Sequence, residues 1–130
     1  MKETTVRKET RFDENENILY TKVTGIAHLE DMLKGLEKLA EDKILPRTLK
    51  IVEDARVAKV TFSENDLHLL VEKIEIAADN FKLIRHAVIH SDPMNTALTI
   101  LVGNLVKREN YHLKVFSTLE AAREWVRIIE

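Results

Sequence analysis

No cysteine occurs among the 130 residues, which excludes disulfide scaffolds, thiol nucleophiles and thiolate metal sites. Glycine is nearly as scarce. With only Gly25, Gly35 and Gly103 there is no Gly-rich phosphate loop and no Gly-x-Ser-x-Gly nucleophile elbow. The chain also lacks internal repeats, low-complexity blocks and any Pro/Gly/Ser-rich linker, so a single domain over residues 1–130 is expected. No stretch approaches the ~18 apolar residues of a membrane span. Residues 1–17 are mostly polar and contain no secretory h-region, and a cytoplasmic protein is therefore expected. An excess of positive charge is missing too. Twenty Lys and Arg against twenty-two Asp and Glu leave a net charge of −2 without the basic stripe that phosphate-backbone binding needs, so nucleic acid is not an expected partner.

What is present is ordinary globular material, 45% apolar and 32% charged, which excludes a low-hydrophobicity disordered chain. At this length folding removes roughly two thirds of the unfolded surface from water, enough for a core without a metal or disulfide staple.

Residues Val6 to Phe12 alternate between two sides in the period of a half-exposed strand, and Glu14-Asn15-Glu16-Asn17 then makes a polar turn. Ile18 to Val23 follows as a β-branched and aromatic strand closed by Gly25, which completes a hairpin. From His28 the period changes: Leu29, Met32, Leu33, Leu36, Leu39 and Ala40 recur at three and four residues, the clearest helical stripe in the chain. Pro46 bars its continuation. Leu49 to Val52, ending in Glu53-Asp54, has the character of a buried parallel strand, and Ala55 to Phe62 is an irregular link or a short extra strand. Ser63-Glu64-Asn65-Asp66 resembles a capping box before a second helix over Leu67 to Ala78. Leu83 to Ile89 is a further strand, and a third helix begins at Asn95 or Thr96 and reaches about Lys107. Leu113 to Phe116 is the last strand. Ser117-Thr118-Leu119-Glu120 repeats the capping-box pattern before a closing helix with Leu119, Ala122, Val126 and Ile129 as its stripe. The order ββαβαβαβα predicts an α/β fold with a mixed, mostly parallel sheet of about five strands and four helices.

His86 and His90 stand four residues apart on a predicted strand, roughly 13 Å at ~3.3 Å per residue, too far for one metal to bridge easily. His28, His68 and His112 fall on unrelated elements, and neither a metal nor a cofactor is expected. His90-Ser91-Asp92 contains the residue types of a hydrolase triad, but strand neighbours point to opposite faces and cannot form the relay. In open α/β sheets ligands bind outside the carboxyl ends of the strands, and here those ends carry Asp54, Arg56, Ser63, Ser91, Asp92 and Asn95. Helix capping alone accounts for the positions of Ser63 and Asn95. A phosphate at Ser63 would be favoured by the helix dipole and opposed by Glu64 and Asp66. The helix over Ala97 to Val106 is apolar on most of its circumference. It is either sandwiched inside the domain or covered outside it, a self-complementary twofold dimer being the first expectation for that surface.

Lys114-Val-Phe-Ser-Thr-Leu-Glu-Ala-Ala-Arg-Glu-Trp125-Val, a strand running into an Ala-rich helix with a Trp, resembles the ending of the SpoIIAA-like branch of the anti-sigma-factor antagonist (STAS) superfamily. Leu49-Lys-Ile-Val-Glu-Asp54, followed by the link and the helix near Asp66, is similar to the same branch, and the likeness covers roughly residues 18–126. The resemblance implies a mixed sheet with β-α superhelical turns, no catalytic role, and work done by binding proteins or small ligands. It also implies Ser63, within Phe62-Ser63-Glu64-Asn65-Asp66, as the position nearest the phosphorylated serine of the antagonists, although the glycine of their motif is absent.

The expectation is thus a bacterial, non-enzymatic regulatory domain acting through protein–protein contact, as a homodimer, with its surface at the carboxyl ends of the strands. The alternative is a carrier or sensor of a small apolar ligand such as a lipid or fatty acid, held between sheet and helices by Leu67, Leu70, Ile74, Leu98, Leu101 and Trp125. Their helical spacing is equally that of plain core packing. An enzyme would rest only on Asp54, His90, Ser91 and Asp92 near one edge.

Overall fold

A computed structural model describes residues 5–128, so the first four residues and Ile129 of the closing stripe lie outside the described residues. Five strands form one sheet in sequence order, β1 (Arg7–Asp13), β2 (Ile18–Ala27), β3 (Thr48–Val60), β4 (Leu83–Ile89) and β5 (Tyr111–Phe116). β1 is antiparallel to β2, and every later pair is parallel. The parallel connections are α1 (Leu29–Glu41), α2 (Leu67–Ala78, preceded by a 3₁₀ turn at Glu64–Asp66) and α3 (Pro93–Leu105). Strands that advance in one direction through right-handed crossovers place all three helices on the same face. The eight-residue α4 (Leu119–Val126) covers the other face, against β3 and β4. The α/β class, the five-stranded mixed sheet and the four helices are as the sequence predicts. Among the described residues no helix is long and apolar enough to cross a membrane.

Several boundaries differ from the sequence pattern, among them the start of β5 at Tyr111 rather than Leu113. The link after Asp54 is a continuation of β3, which outruns β4 and pairs with β2 alone after a register shift between Lys22 and Thr24. That bulge sets two residues, Ala55 and Arg56, opposite Val23 and breaks the alternation, so Ala55 and Ala58 are both buried although three apart. β2 likewise runs on past Gly25, whose φ of +84° only glycine adopts readily and where a side chain would strike the Thr5 carbonyl. α3 begins at Pro93, because the Asp92 carboxylate accepts from the Asn95 N–H at 2.9 Å and a proline N1 forfeits nothing. α4 is capped by Thr118, which accepts from the Ala121 N–H at 3.2 Å.

The core divides at the sheet. On the α4 side Ile18, Val52, Ala87, Ile89, Ala122 and Val126 are each at most 1% exposed. On the other side Leu49, Ile51, Leu67, Leu70, Ile74 and Ile84 form a core with α2, over which α1 and α3 pack partly buried side chains.

Candidate functional site

α1 has the sharpest apolar stripe of any helix, yet none of its residues is buried. Beneath it, between the sheet and α1, α2 and α3, lies a cavity of about 780 Å³. Its walls are mostly apolar, with Leu19, Val23 and Val88 from the sheet and Met32, Leu36 and Leu98 from the helices. This is the size and character of a small-molecule pocket, for which ~300–1,000 Å³ is usual. Exposed Lys8, Lys34 and Lys38 line its solvent side together with Asp31 and Asp42. Lys8 crosses from β1 to α1 at Gly35, where any β-carbon would sit 2.8 Å from its Nζ.

The floor carries three polar side chains in a row. Glu53 on β3, His86 on β4 and Tyr111 on β5 share the pleat that faces the helices, and all three line the cavity. His86 lies 2.8 Å from a Glu53 oxygen through Nε2 and 2.8 Å from the Tyr111 hydroxyl through Nδ1. Burial, with the charge of Glu53 added, pushes the Tyr111 phenol far above its ordinary value, so it keeps its proton. Burial also pushes the Glu53 carboxyl up, but the His86 hydrogen bond and the positive fields of His86, Lys8 and His90 together hold it below the usual carboxylate range. Nε2–H donates to the Glu53 carboxylate, and Nδ1 shares a hydrogen bond with the Tyr111 hydroxyl. Among the described residues no hydrogen bond reaches the second Glu53 oxygen, and the side chain is 24% exposed.

At the carboxyl ends of the strands, Arg56 donates to both oxygens of Asp54, at 2.9 and 2.8 Å, and holds that carboxyl below its ordinary value. The Ser91 hydroxyl donates to the Arg56 carbonyl at 3.1 Å. Asp54, Arg56 and Ser91 therefore come together, while Asp92 is spent on capping α3. Asn95 is buried and lines the cavity, its amide 3.5 Å from the Ala58 carbonyl. Ser63 stands exposed at the 3₁₀ turn, its N–H donating to Asp66 at 3.2 Å. His90 is buried with Nδ1 unpartnered among the described residues, and burial lowers its imidazole below the ordinary value. Among the described residues no group of three or more His, Asp and Glu is arranged to hold a metal.

Of the six residues expected around an apolar ligand, Leu70, Ile74 and Leu98 line the cavity, and Leu67 and Leu101 pack in the adjoining core. Trp125 corrects that expectation. It lies across the sheet, 5.7 Å from the Phe116 ring, with the Arg85 guanidinium 4.0 Å over its face and donating to its carbonyl at 2.8 Å. The sheet separates it from the cavity, and helical periodicity does not say which face a helix covers. Sequence reasoning missed Glu53, His86 and Tyr111 as a group. The available signal is parity: each stands two residues from an apolar neighbour whose side chain faces the helices, Ile51, Ile84 and Leu113.

Across solved structures, the chain is similar to an uncharacterized protein from the DUF3478 family with a SpoIIAA-like fold, from Shewanella loihica PV-4. The identity is 17%, the TM-score is 0.61, and the match covers 97% of each chain. No protein-family model and no curated protein matches the chain. The fold is SpoIIAA-like over essentially its whole length.

Proposed function

We propose that this SpoIIAA-like chain is a non-catalytic binding domain that holds a small, mainly apolar molecule between the sheet and helices α1 to α3. One observation carries the reading: a preformed cavity of about 780 Å³ on one side of a sheet whose other side is packed to near-zero exposure. Protein interiors are close-packed, and voids larger than a few waters are uncommon, so a hollow of this size in a 130-residue chain calls for an occupant. Native mass spectrometry of protein purified without added ligand, combined with titration by the neutral apolar dye Nile red, tests it. Saturable one-to-one dye binding that is weakened in Thr21→Phe, which narrows the cavity from β2, is the expected result. Dye binding unchanged by that substitution removes the reading.

A regulatory role through protein–protein contact is the second reading. It is favoured by Val57 and Met94, both 66% exposed and flanking Arg56 and Asp92 at the carboxyl ends of the strands. A dimer mass without releasable cargo in the same spectra would move the emphasis to that edge.

A further inference from the structure

The cavity is mostly apolar, and Glu53, His86 and Tyr111 put a polar cluster on its floor. Glu53, which lines the cavity, gives one carboxylate oxygen to His86, and its other oxygen is unpartnered among the described residues. His86 beside it has both ring nitrogens engaged, one on Glu53 and one on the Tyr111 hydroxyl. The floor therefore presents an acceptor to whatever enters.

We infer that the ligand carries a protonated amine, or an equivalent cationic N–H group, on an apolar body, and that this group lodges against the free oxygen of Glu53. The inference rests on the cavity being the binding site. A carboxylate only 24% exposed among apolar walls loses much of its hydration, a cost that a cation or several donors would offset. Only one donor, from His86, does so directly. Of the three lysines on its solvent side, Lys8 has its Nζ near Gly35 on α1, and among the described residues none of the three makes a hydrogen bond to Glu53. The held-down carboxyl of Glu53 keeps the acceptor charged at neutral pH. A carboxylate or phosphate head on the floor would oppose acceptor to acceptor and charge to like charge. A hydroxyl can donate, but a charge-assisted hydrogen bond is about twice as strong as a neutral one. His86 and Tyr111 act as positioning residues: the chain of hydrogen bonds fixes the Glu53 carboxylate while leaving one oxygen exposed.

Three probes of one chain length isolate the head group: octylamine, octan-1-ol and octanoate, titrated below micelle formation into the full chain by calorimetry at neutral pH. Octylamine is expected to bind at least about tenfold more tightly than octan-1-ol, with octanoate weakest. Glu53→Gln is expected to bring octylamine to the level of octan-1-ol while octan-1-ol binds as before, which also shows that the variant is folded. Octan-1-ol or octanoate binding as tightly as octylamine in the unmodified chain overturns the inference and leaves the cavity reading standing. An amine preference that survives Glu53→Gln overturns the assignment to Glu53. Failure of all three probes, and of Nile red, removes the binding site itself.

Discussion

Strands β3 and β4 serve two faces at once, and the faces differ in how completely they are filled. On one, a helix of eight residues suffices: its Ala122 and Val126 are fully buried in one cluster with Ile18, Val52, Ala87 and Ile89 of the sheet. Polar groups fasten its margin. Glu16 accepts from Tyr20 at 2.7 Å, from Arg123 at 2.6 Å and from Arg127, all outside the apolar centre. On the other face three longer helices do not fill the volume. α1 arches over the floor with its stripe half-buried, and the space left holds the one polar row, Glu53, His86 and Tyr111. The amount of apolar helix is thus no measure of packing. An amphipathic stripe says which side of a helix turns inward, and whether something solid waits there depends on the side chains it meets.

Truncation on each face gives the largest expected contrast. Ile89→Ala, on the filled face, should cost about 2–5 kcal/mol in urea unfolding. Leu36→Ala, which borders space already empty, should cost about 1 kcal/mol, since little new cavity is made. Equal costs would break the comparison. Enlargement inverts the test. Ala122→Leu should cost about 1–3 kcal/mol by overpacking, whereas Thr21→Phe on the hollow side should fall within about 1 kcal/mol of the unmodified chain.

The smallest effect is electrostatic and separates the two sides by pH. Hydrogen bonds from Tyr20, Arg123 and Arg127 lower the Glu16 carboxyl from 4.5 to about 2. Its folded value lies below the ordinary one, so the stabilisation is present above pH 4.5 and is lost as pH falls toward 2. His90, whose surroundings include Glu53, is lowered from 6.5 by burial. The unfolded chain then binds the proton more readily, and stability contributed by keeping this ring neutral begins to fall as pH drops below 6.5. Unfolding midpoints measured across pH 2 to 7.5 should therefore show an upper limb softened by His90→Gln and a lower limb softened by Glu16→Gln. Either substitution flattening the other's limb would contradict these assignments.

Much of the frame was legible from local patterns. The stripe from Leu29 to Ala40, the β-branched run from Ile18 and the apolar strand Leu83–Ile89 each announce their element by period alone. The extension of β3 was not legible, because a bulge opposite Val23 erases the alternation on which the reading depends. The start of α3 was legible in principle, since Asp92-Pro93 is a cap followed by a proline N1. The candidate site was legible only in pieces. Leu70, Ile74 and Leu98 could be placed near a ligand by helical spacing, but Trp125 carries the same kind of signal and sits on the far side. Glu53 looked like the end of a strand and His86 like half of an unworkable metal pair.

The sequence by itself determined the class, the order of elements and the inward side of the amphipathic helix α1, because periods of 2 and 3.6 residues are properties of neighbouring positions. Only the tertiary structure decided which face each helix covers, how far β3 runs past β4, and that Glu53, His86 and Tyr111 meet on the floor of the cavity. Those outcomes depend on strand register and on the fit of side chains far apart in the chain, and local periodicity carries no information about either.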